Sequence, residues 1–360
     1  MSAAIRVLVV DDSAFARKVV REILQAAGFE VVGTARDGLE ALEQISDLKP
    51  DVITLDLVMP NLDGLGVLQA LHTLPAGTAP RVIVVSVSGS TTGLGVAALQ
   101  AGAVNIVHKP TSLATAQLYE LKAALLRAVR EAMLGRAVVP LPLQPAATEH
   151  AVPVPLGASP ARHTQPLTSA PTAHKLVVIG TSTGGPQALT RLLTALPGDF
   201  PVPLAIALHI PAGYTEELAK RLDRACAIDV VHAAEGLELR PGLAVLARGG
   251  EHLTISPMRN GLYAQLAFQP VGEQHAPSVD VLFESAAARL GAAVLVVVLT
   301  GMGSDGLRGS RAIHAAGGHI LTEAESSCVV YGMPGVVKDA GLSQAEAALD
   351  DMARLIARSL

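Results

Sequence analysis

Five residues in the first third of the chain are of types that could transfer a phosphoryl group. Asp11 and Asp12, Asp56, Ser86 and Lys109 each stand at the end of a different short apolar run, and Pro110 follows the lysine. Three carboxylates gathered in one place repel one another, and a hard divalent cation that takes oxygen ligands, Mg²⁺, relieves the repulsion. Asp11, Asp12 and Asp56 are the candidate ligands. Asp56 can then act as a nucleophile toward a phosphoryl donor, with the cation and Lys109 neutralising the phosphoryl oxygens and Ser86 hydrogen-bonding one of them. Taken singly, the paired acids are also read as helix N-caps and Lys109 as a surface charge. Five complementary groups at four run ends favour the joint reading.

A second set lies beyond residue 174. Gly180-Thr181-Ser182-Thr183-Gly184-Gly185-Pro186 follows the apolar run Lys175 to Ile179 and precedes a helical segment, Gln187 to Leu196, so Ser182 sits on a strand-to-helix turn. Flanking glycines let the turn be sharp, Pro186 suits a first helical position, and the helix's free N–H groups favour a developing oxyanion. His209 closes the run Pro203 to Leu208, and Asp305 lies in Gly301-Met302-Gly303-Ser304-Asp305-Gly306, just past the run Ala292 to Leu299. A hydroxyl that attacks, an imidazole that takes and returns the proton, and a carboxylate that fixes the tautomer are what serine hydrolysis requires. The order Ser182, His209, Asp305 differs from the Ser, Asp, His order of α/β-hydrolases, so the literal G-x-S-x-G is not taken as membership of that fold. The amides of Thr183 and Met302 are candidates for an oxyanion hole.

Rival readings exist. Gly301 to Gly306 is literally G-x-G-x-x-G between a strand and a helix, with Glu323 about twenty residues on, as in dinucleotide binding. Asp305 would then put negative charge inside the loop that must hold a pyrophosphate, and little chain remains for a Rossmann half. Ser182 also reads as a helix N-cap, and Gly180 to Gly185 as a phosphate loop, although no lysine follows the glycines. His163, His174, His232, His252, His275, His314 and His319 have no metal-ligand spacing. His252 and the run His275 to Phe283 are candidates to line a cleft, although spacing alone favours ordinary surface or core placement.

The elements that must position these groups follow from hydrophobic patterning. Ile5 to Val10, Val31 to Ala35, Val52 to Leu57, Arg81 to Ser86 and Val104 to His108 are predicted strands, separated by segments of helical period. Their near-continuous apolar character implies burial on both faces, hence a doubly wound parallel sheet that presents its ligands at the strands' carboxyl ends. Lys175 to Ile179, Pro203 to Leu208, Gly242 to Leu246, Ala292 to Thr300 and His319 to Thr322 repeat the rhythm, which predicts a second α/β domain. Arg248 to Gln269 is predicted to form a hairpin. Between them, residues 136–173 hold 8 of the 23 prolines, one acid, two arginines and no aromatic residue, which marks a linker. The predicted domains are therefore 1–135 and 174–360.

Composition narrows the function classes. A chain of 360 residues with 50% hydrophobic and 16% charged residues and a net charge of −5 is neither disordered nor a polybasic nucleic-acid binder. Residues 1–135 carry 11 basic and 13 acidic side chains, residues 174–360 carry 14 and 18, so neither half has a basic footprint. Cys226 and Cys328 are too few to staple the fold, which fits a reducing cytoplasm. The amino terminus lacks a signal peptide's apolar core, and no run approaches the roughly 18 residues that span a bilayer, so neither export nor membrane insertion is expected.

The first half resembles the response-regulator receiver family through Val9-Val10-Asp11-Asp12-Ser13, Leu55-Asp56-Leu57-Val58-Met59-Pro60 and His108-Lys109-Pro110. With Gly180 to Gly185, Leu208-His209-Ile210-Pro211-Ala212-Gly213, His275 to Phe283, Gly301 to Gly306 and Tyr331-Gly332-Met333-Pro334-Gly335, nearly the whole chain resembles the chemotaxis protein-glutamate methylesterase family. The resemblance implies a flavodoxin-like receiver with Mg²⁺ and phosphorylation at Asp56. It implies a catalytic domain without a cofactor, in which Ser182, His209 and Asp305 form the triad. It also implies hydrolysis of γ-glutamyl methyl esters on chemoreceptor cytoplasmic helices, deamidation of receptor glutamines in many members, and a sensor histidine kinase as phosphoryl donor. Two positions depart from the family pattern: Ile106, three before the lysine and often aromatic, and Arg248, usually proline.

Overall fold

The alternation of apolar runs and helical segments becomes two stacked α/β layers. The computed structural model describes residues 4–75, 78–87, 92–109, 115–134, 174–258, 261–268, 273 and 275–360. The first half runs β1 (Arg6–Val10), α1 (Ala14–Ala26), β2 (Glu30–Ala35), α2 (Gly38–Leu48), β3 (Val52–Leu55), α3 (Gly64–Leu71), β4 (Arg81–Val87), α4 (Thr92–Gln100), β5 (Asn105–Lys109) and α5 (Thr115–Leu134). Its strands are all parallel, in the order β2-β1-β3-β4-β5. Val7 and Val9 pack with Leu24 of α1 and Leu125 of α5, while Leu8 and Val10 pack with Ile45 of α2 and Leu68 of α3. Burial on both faces is why these strands read as continuous apolar runs. The strand order reverses between β1 and β3, where such sheets open a crevice.

The second half comprises β6 (Leu176–Thr181), α6 (Gly185–Thr194), β7 (Leu204–Leu208), α7 (Thr215–Ala225), β8 (Asp229–His232), β9 (Glu238–Leu239), β10 (Leu243–Leu246), β11 (His252–Met258), β12 (Gly261–Ala267), α8 (Val279–Leu290), β13 (Val294–Val298), α9 (Leu307–Ala315), β14 (His319–Glu323), α10 (Met333–Asp339), β15 (Ala345–Ala347) and α11 (Leu349–Ser359). Seven of these strands form a parallel sheet, β15-β14-β13-β6-β7-β10-β8, whose order reverses between β6 and β13. The predicted hairpin is present as β11 and β12, joined by β9 in a small antiparallel sheet.

Several predicted bounds shift. The run Val52 to Leu57 leaves the sheet at Leu55, because the Asp56 carboxylate accepts the Leu57 amide at 2.7 Å and turns the chain. The run Ala292 to Thr300 opens as a 3₁₀ turn, Gly291–Ala293, and is strand only over Val294–Val298. The short strands β8, β9 and β15 carry no apolar run long enough to announce them. Cys226 and Cys328 are both free, with Cys328 buried and Cys226 only half-buried. The predicted linker and Pro110 lie outside the described residues.

The two halves meet along α4, α6 and α7. Gln187 Nε2 donates to the Leu99 carbonyl at 2.8 Å and an Arg221 guanidinium nitrogen to the Gly93 carbonyl at 2.9 Å. A Cβ at Gly95 would stand 2.5 Å from the Tyr214 ring, so α4 approaches that ring only because the position is glycine.

Candidate active site

Parallel pairing sets the second site. Thr181 on β6 is in register with Leu208 on β7, so Ser182 and His209, the next residue of each, leave the sheet side by side. The His209 amide donates to the Thr181 carbonyl at 3.1 Å. The Ser182 amide donates to the Thr300 carbonyl at 3.1 Å, and the Thr181 hydroxyl donates to the same carbonyl at 2.7 Å. Three strand ends are thereby pinned together. A Cβ at Gly301 would lie 2.9 Å from Ser182 Cβ, and Gly184, the N-cap of α6, holds φ at 81°. The glycines around the serine thus serve close approach and a left-handed turn.

His209 Nε2 lies 2.7 Å from Asp305 Oδ2. The same carboxylate accepts the Ser278 hydroxyl at 3.0 Å and the amides of Val279 and Asp280, each at 2.8 Å, at the start of α8. Burial alone would raise the Asp305 pKa. The hydrogen bond and charge of His209, together with the two amides, outweigh burial and hold the carboxyl well below the usual range. The His275 ring stacks on His209 with centroids 4.1 Å apart and planes at 20°. Burial first, and the neighbouring His209 second, lower the His275 pKa to about 4.

Ser182, Thr183, His209 and His275 line a cleft of about 290 Å³. Its facing wall belongs to the first half: Asn105 and Ile106 of β5 with Arg127 and Glu131 of α5. Thr183, one oxyanion candidate, is within this cleft, and neither its amide nor that of Met302 donates to an acceptor among the described residues. The other reading of the glycine loop fails on geometry. Asp305 is turned onto His209 and the start of α8, and Glu323, the would-be ribose ligand, is fully buried and accepts the Thr300 amide at 2.8 Å.

For the run His275 to Phe283 the cleft reading holds over the ordinary surface or core placement that spacing favours. His275, Ala276 and Pro277 line the cleft while Ser278 to Asp280 hold Asp305. His252 is a core residue whose Nδ1 accepts the Ser278 amide at 3.1 Å. The available sign was Ser278 two residues before an acid, a helix-start pattern, but nothing in it pointed to Asp305. Arg248 is outside the cleft. Its Nε donates to the Ala233 carbonyl at 2.6 Å, and Gly250 in its loop donates to the Ala276 carbonyl at 2.9 Å.

In the first half, Asp11 and Asp12 follow β1, Asp56 follows β3, Ser86 is buried near the end of β4 and Lys109 ends β5. Oxygens of the three aspartates lie within 4.8 Å of one another. Lys109 Nζ is 2.6 Å from Asp56 Oδ2 and 2.6 Å from Asp11 Oδ2. The paired acids are not the cap of α1: Ser13 is, accepting the Ala16 amide at 3.3 Å. Burial works against the Lys109 ammonium, but the hydrogen bonds it donates to Asp11 and Asp56, with their charges, prevail and raise its pKa. The Asp11 carboxyl is also raised, chiefly by burial, despite that ammonium. Lys109 pairs with two of the three acids, so the cluster keeps surplus negative charge, and an all-oxygen donor set of that kind fits a hard divalent ion.

Comparison with known proteins places both halves. The family model described as CheB methylesterase matches residues 177–356, and that of the response regulator receiver domain matches residues 7–120. The chain is 58% identical over 355 residues to "Protein-glutamate methylesterase/protein-glutamine glutaminase 5" of Myxococcus xanthus, covering 98% of this chain and 97% of that protein. It is 40% identical over 368 residues to "Protein-glutamate methylesterase/protein-glutamine glutaminase 1" of Oleidesulfovibrio alaskensis, covering 98% of each. The crystal structure of the Thermotoga maritima CheB methylesterase catalytic domain aligns with a TM-score of 0.51 at 33% identity, covering 52% of this chain and 99% of that one.

Proposed function

Because the chain belongs to the CheB methylesterase family and carries a response-regulator receiver domain, we propose that it is a phosphorylation-activated hydrolase of glutamate γ-methyl esters on chemoreceptor helices. The proposed domains are a receiver at 1–135, a linker at 136–173 and a catalytic domain at 174–360. The observation that carries the reading is the 2.7 Å contact of His209 with Asp305, beside Ser182 and on the same cleft.

With Nε2–H donated to Asp305, the other ring nitrogen of His209 is the base. It takes the Ser182 proton as Oγ forms a bond to the ester carbonyl carbon, and the carbonyl oxygen becomes an oxyanion facing the amides of Thr183 and Met302. The C–OCH₃ bond then breaks, and the proton on His209 leaves with the methoxide as methanol. The glutamyl group remains as an ester on Ser182. Water attacks that ester, His209 takes a proton from it, and Ser182 departs with the same proton restored, releasing glutamate. A glutamine amide follows the same path with ammonia as leaving group, which accounts for deamidation. Asp305 stays ionised throughout, consistent with its depressed pKa.

In the receiver, Asp56 is the phosphoryl acceptor from a sensor histidine kinase: its carboxylate oxygen bonds to phosphorus as the donor's P–N bond breaks. Asp11, Asp12 and Asp56 would hold Mg²⁺, which when bound neutralises charge on the phosphoryl oxygens. As the Asp56 carboxylate loses its charge in forming the acyl phosphate, the Lys109 ammonium pairs with the phosphoryl group, and the Ser86 hydroxyl hydrogen-bonds it. The catalytic cleft faces α5, so a receiver that packs less firmly exposes Ser182. About 1.4 kcal/mol of differential stability changes the open population tenfold, within reach of one charge-assisted contact. No helix among the described residues is long and apolar enough to cross a membrane, and the site of action proposed is the cytoplasm.

Mass spectrometry of methylated receptor after incubation with the protein and a phosphodonor tests the reading. Esterified glutamates should become lighter by one CH₂, and the Ser182→Ala protein should leave them unchanged. Equal loss of ester in both would refute it.

A further inference from the structure

Two acids at the starts of two helices exchange places. Asp305 immediately precedes Gly306, which caps α9 with φ at 100°, yet its carboxylate serves α8 by accepting the Val279 and Asp280 amides at 2.8 Å each. Asp280 stands in the first turn of α8, yet its Oδ1 serves α9 by accepting the Gly306 amide at 2.8 Å and the Gly309 amide at 2.7 Å. The helices are close enough for this because residue 309 is glycine: a Cβ there would lie 3.3 Å from Asp280 Cα.

The exchange is costly. Asp280 is 7% exposed, and burial, with the Asp305 charge adding to it, raises its carboxyl to about 6. Arg308 Nε, 3.9 Å from Asp280 Oδ2, stands beyond hydrogen-bond distance and donates to Glu284, while a terminal nitrogen of the same guanidinium donates to Glu273. A helix start could be capped by a serine at far less cost, as Ser278 does for α8. What Asp280 adds is a fastening on both sides of the loop that carries Asp305.

We propose that Asp280 is a positioning residue for the hydrolysis: by fastening the amides of Gly306 and Gly309 it fixes the loop that aims Asp305 at His209. The inference rests on the reading of Ser182, His209 and Asp305 as the hydrolytic set. Asp280 touches neither substrate nor the reacting atoms. The role belongs to its two acceptor bonds, which the oxygen of a neutral carboxamide can also accept.

Three variants of the full chain, Asp280→Ala, Asp280→Glu and Asp280→Asn, separate these roles, with methanol release from methylated receptor membranes giving kcat and KM. The rate of Ser182 labelling by a fluorophosphonate probe reads nucleophile activation without the receptor. Asp280→Ala removes the acceptor and Asp280→Glu displaces it. Each should lower kcat and the labelling rate by about a hundredfold, as misplacements near 1 Å do, with KM within about twofold. Asp280→Asn keeps an acceptor oxygen and should restore both rates to within about threefold of the parent. Parent-like rates in the folded Ala or Glu variant would overturn the inference, as would a folded Asn variant as slow as Ala. A raised KM at unchanged kcat would also overturn it. If the parent neither releases methanol nor takes the label, the hydrolytic reading falls and the inference falls with it.

Discussion

The Tyr214 ring, held at the start of α7, lies 5.3 Å from the His108 ring on β5, centroid to centroid, and its buried hydroxyl has no hydrogen-bond partner among the described residues. The side chain is 1% exposed, so the contact joins catalytic and receiver domains one residue from Lys109. A buried hydroxyl left unpaired costs about 1–3 kcal/mol. Tyr214→Phe keeps the ring and removes that cost, so thermal unfolding should move upward and methanol release without phosphodonor should fall. Tyr214→Ala removes the ring and should raise the unstimulated rate severalfold, narrowing the response to phosphodonor. An unstimulated rate that does not move in either variant would show that this joint does not gate the site.

Lys109 bridges Asp11 and Asp56 at 2.6 Å each. Lys109→Ala leaves the acids without their cation and the phosphoryl group without its partner. Incorporation of label from a radioactive small phosphodonor should fall at least about tenfold, one unit of rate for about 1.4 kcal/mol of lost stabilisation. The ratio of stimulated to unstimulated methanol release should approach one.

Asp305→Asn presents an amide to His209 in place of the carboxylate and no longer enforces the tautomer that leaves the second nitrogen free. By the measure of other serine hydrolases, kcat should fall by about 10⁴ while KM changes little. Steady-state kinetics on methylated receptor membranes check this, and a loss below tenfold would mean the carboxylate does not orient the base.

Asp280 should make folding pH-dependent in a definite sense. Its folded pKa is about 6 against 3.8 for the free side chain, so between these values the folded state binds more protons than the unfolded one. The stability it contributes is therefore full below pH 3.8 and is lost as pH rises through 6. At 1.36 kcal/mol per unit the span is about 3 kcal/mol. Denaturant titrations from pH 4 to 7 should show Asp280→Asn losing less stability than the parent over that range, and parallel curves would count against the raised pKa.

How far these groups were legible depended on whether their positions follow from strand ends. Asp11, Asp56, Ser86 and Lys109 leave adjacent parallel strands at one edge, so apolar runs alone brought them together. Ser182 and His209 were legible for the same reason, one residue beyond paired strands. His275 was legible only as one of two readings, and the Ser278 contact with Asp305 not at all, because their segment follows a hairpin and no periodicity fixes where such a loop returns. Asp280 was hidden further still: its partners are the amides of Gly306 and Gly309, and backbone donors have no side-chain type to read. Ile106 was legible only as a departure from a family pattern. That it and a tyrosine of the other domain both crowd Gly95 could be seen only with both domains in place.

One serine cleaves the ester, in the function proposed, and one aspartate of the receiver governs access to it. Initial rates of methanol release, taken with and without a small phosphodonor for the parent, Ser182→Ala and Asp56→Asn, test both parts in one assay. The account predicts a parent stimulated manyfold by the donor, a Ser182→Ala protein silent in both conditions, and an Asp56→Asn protein whose low rate the donor does not change. Methanol from Ser182→Ala, or stimulation of Asp56→Asn equal to that of the parent, would contradict it.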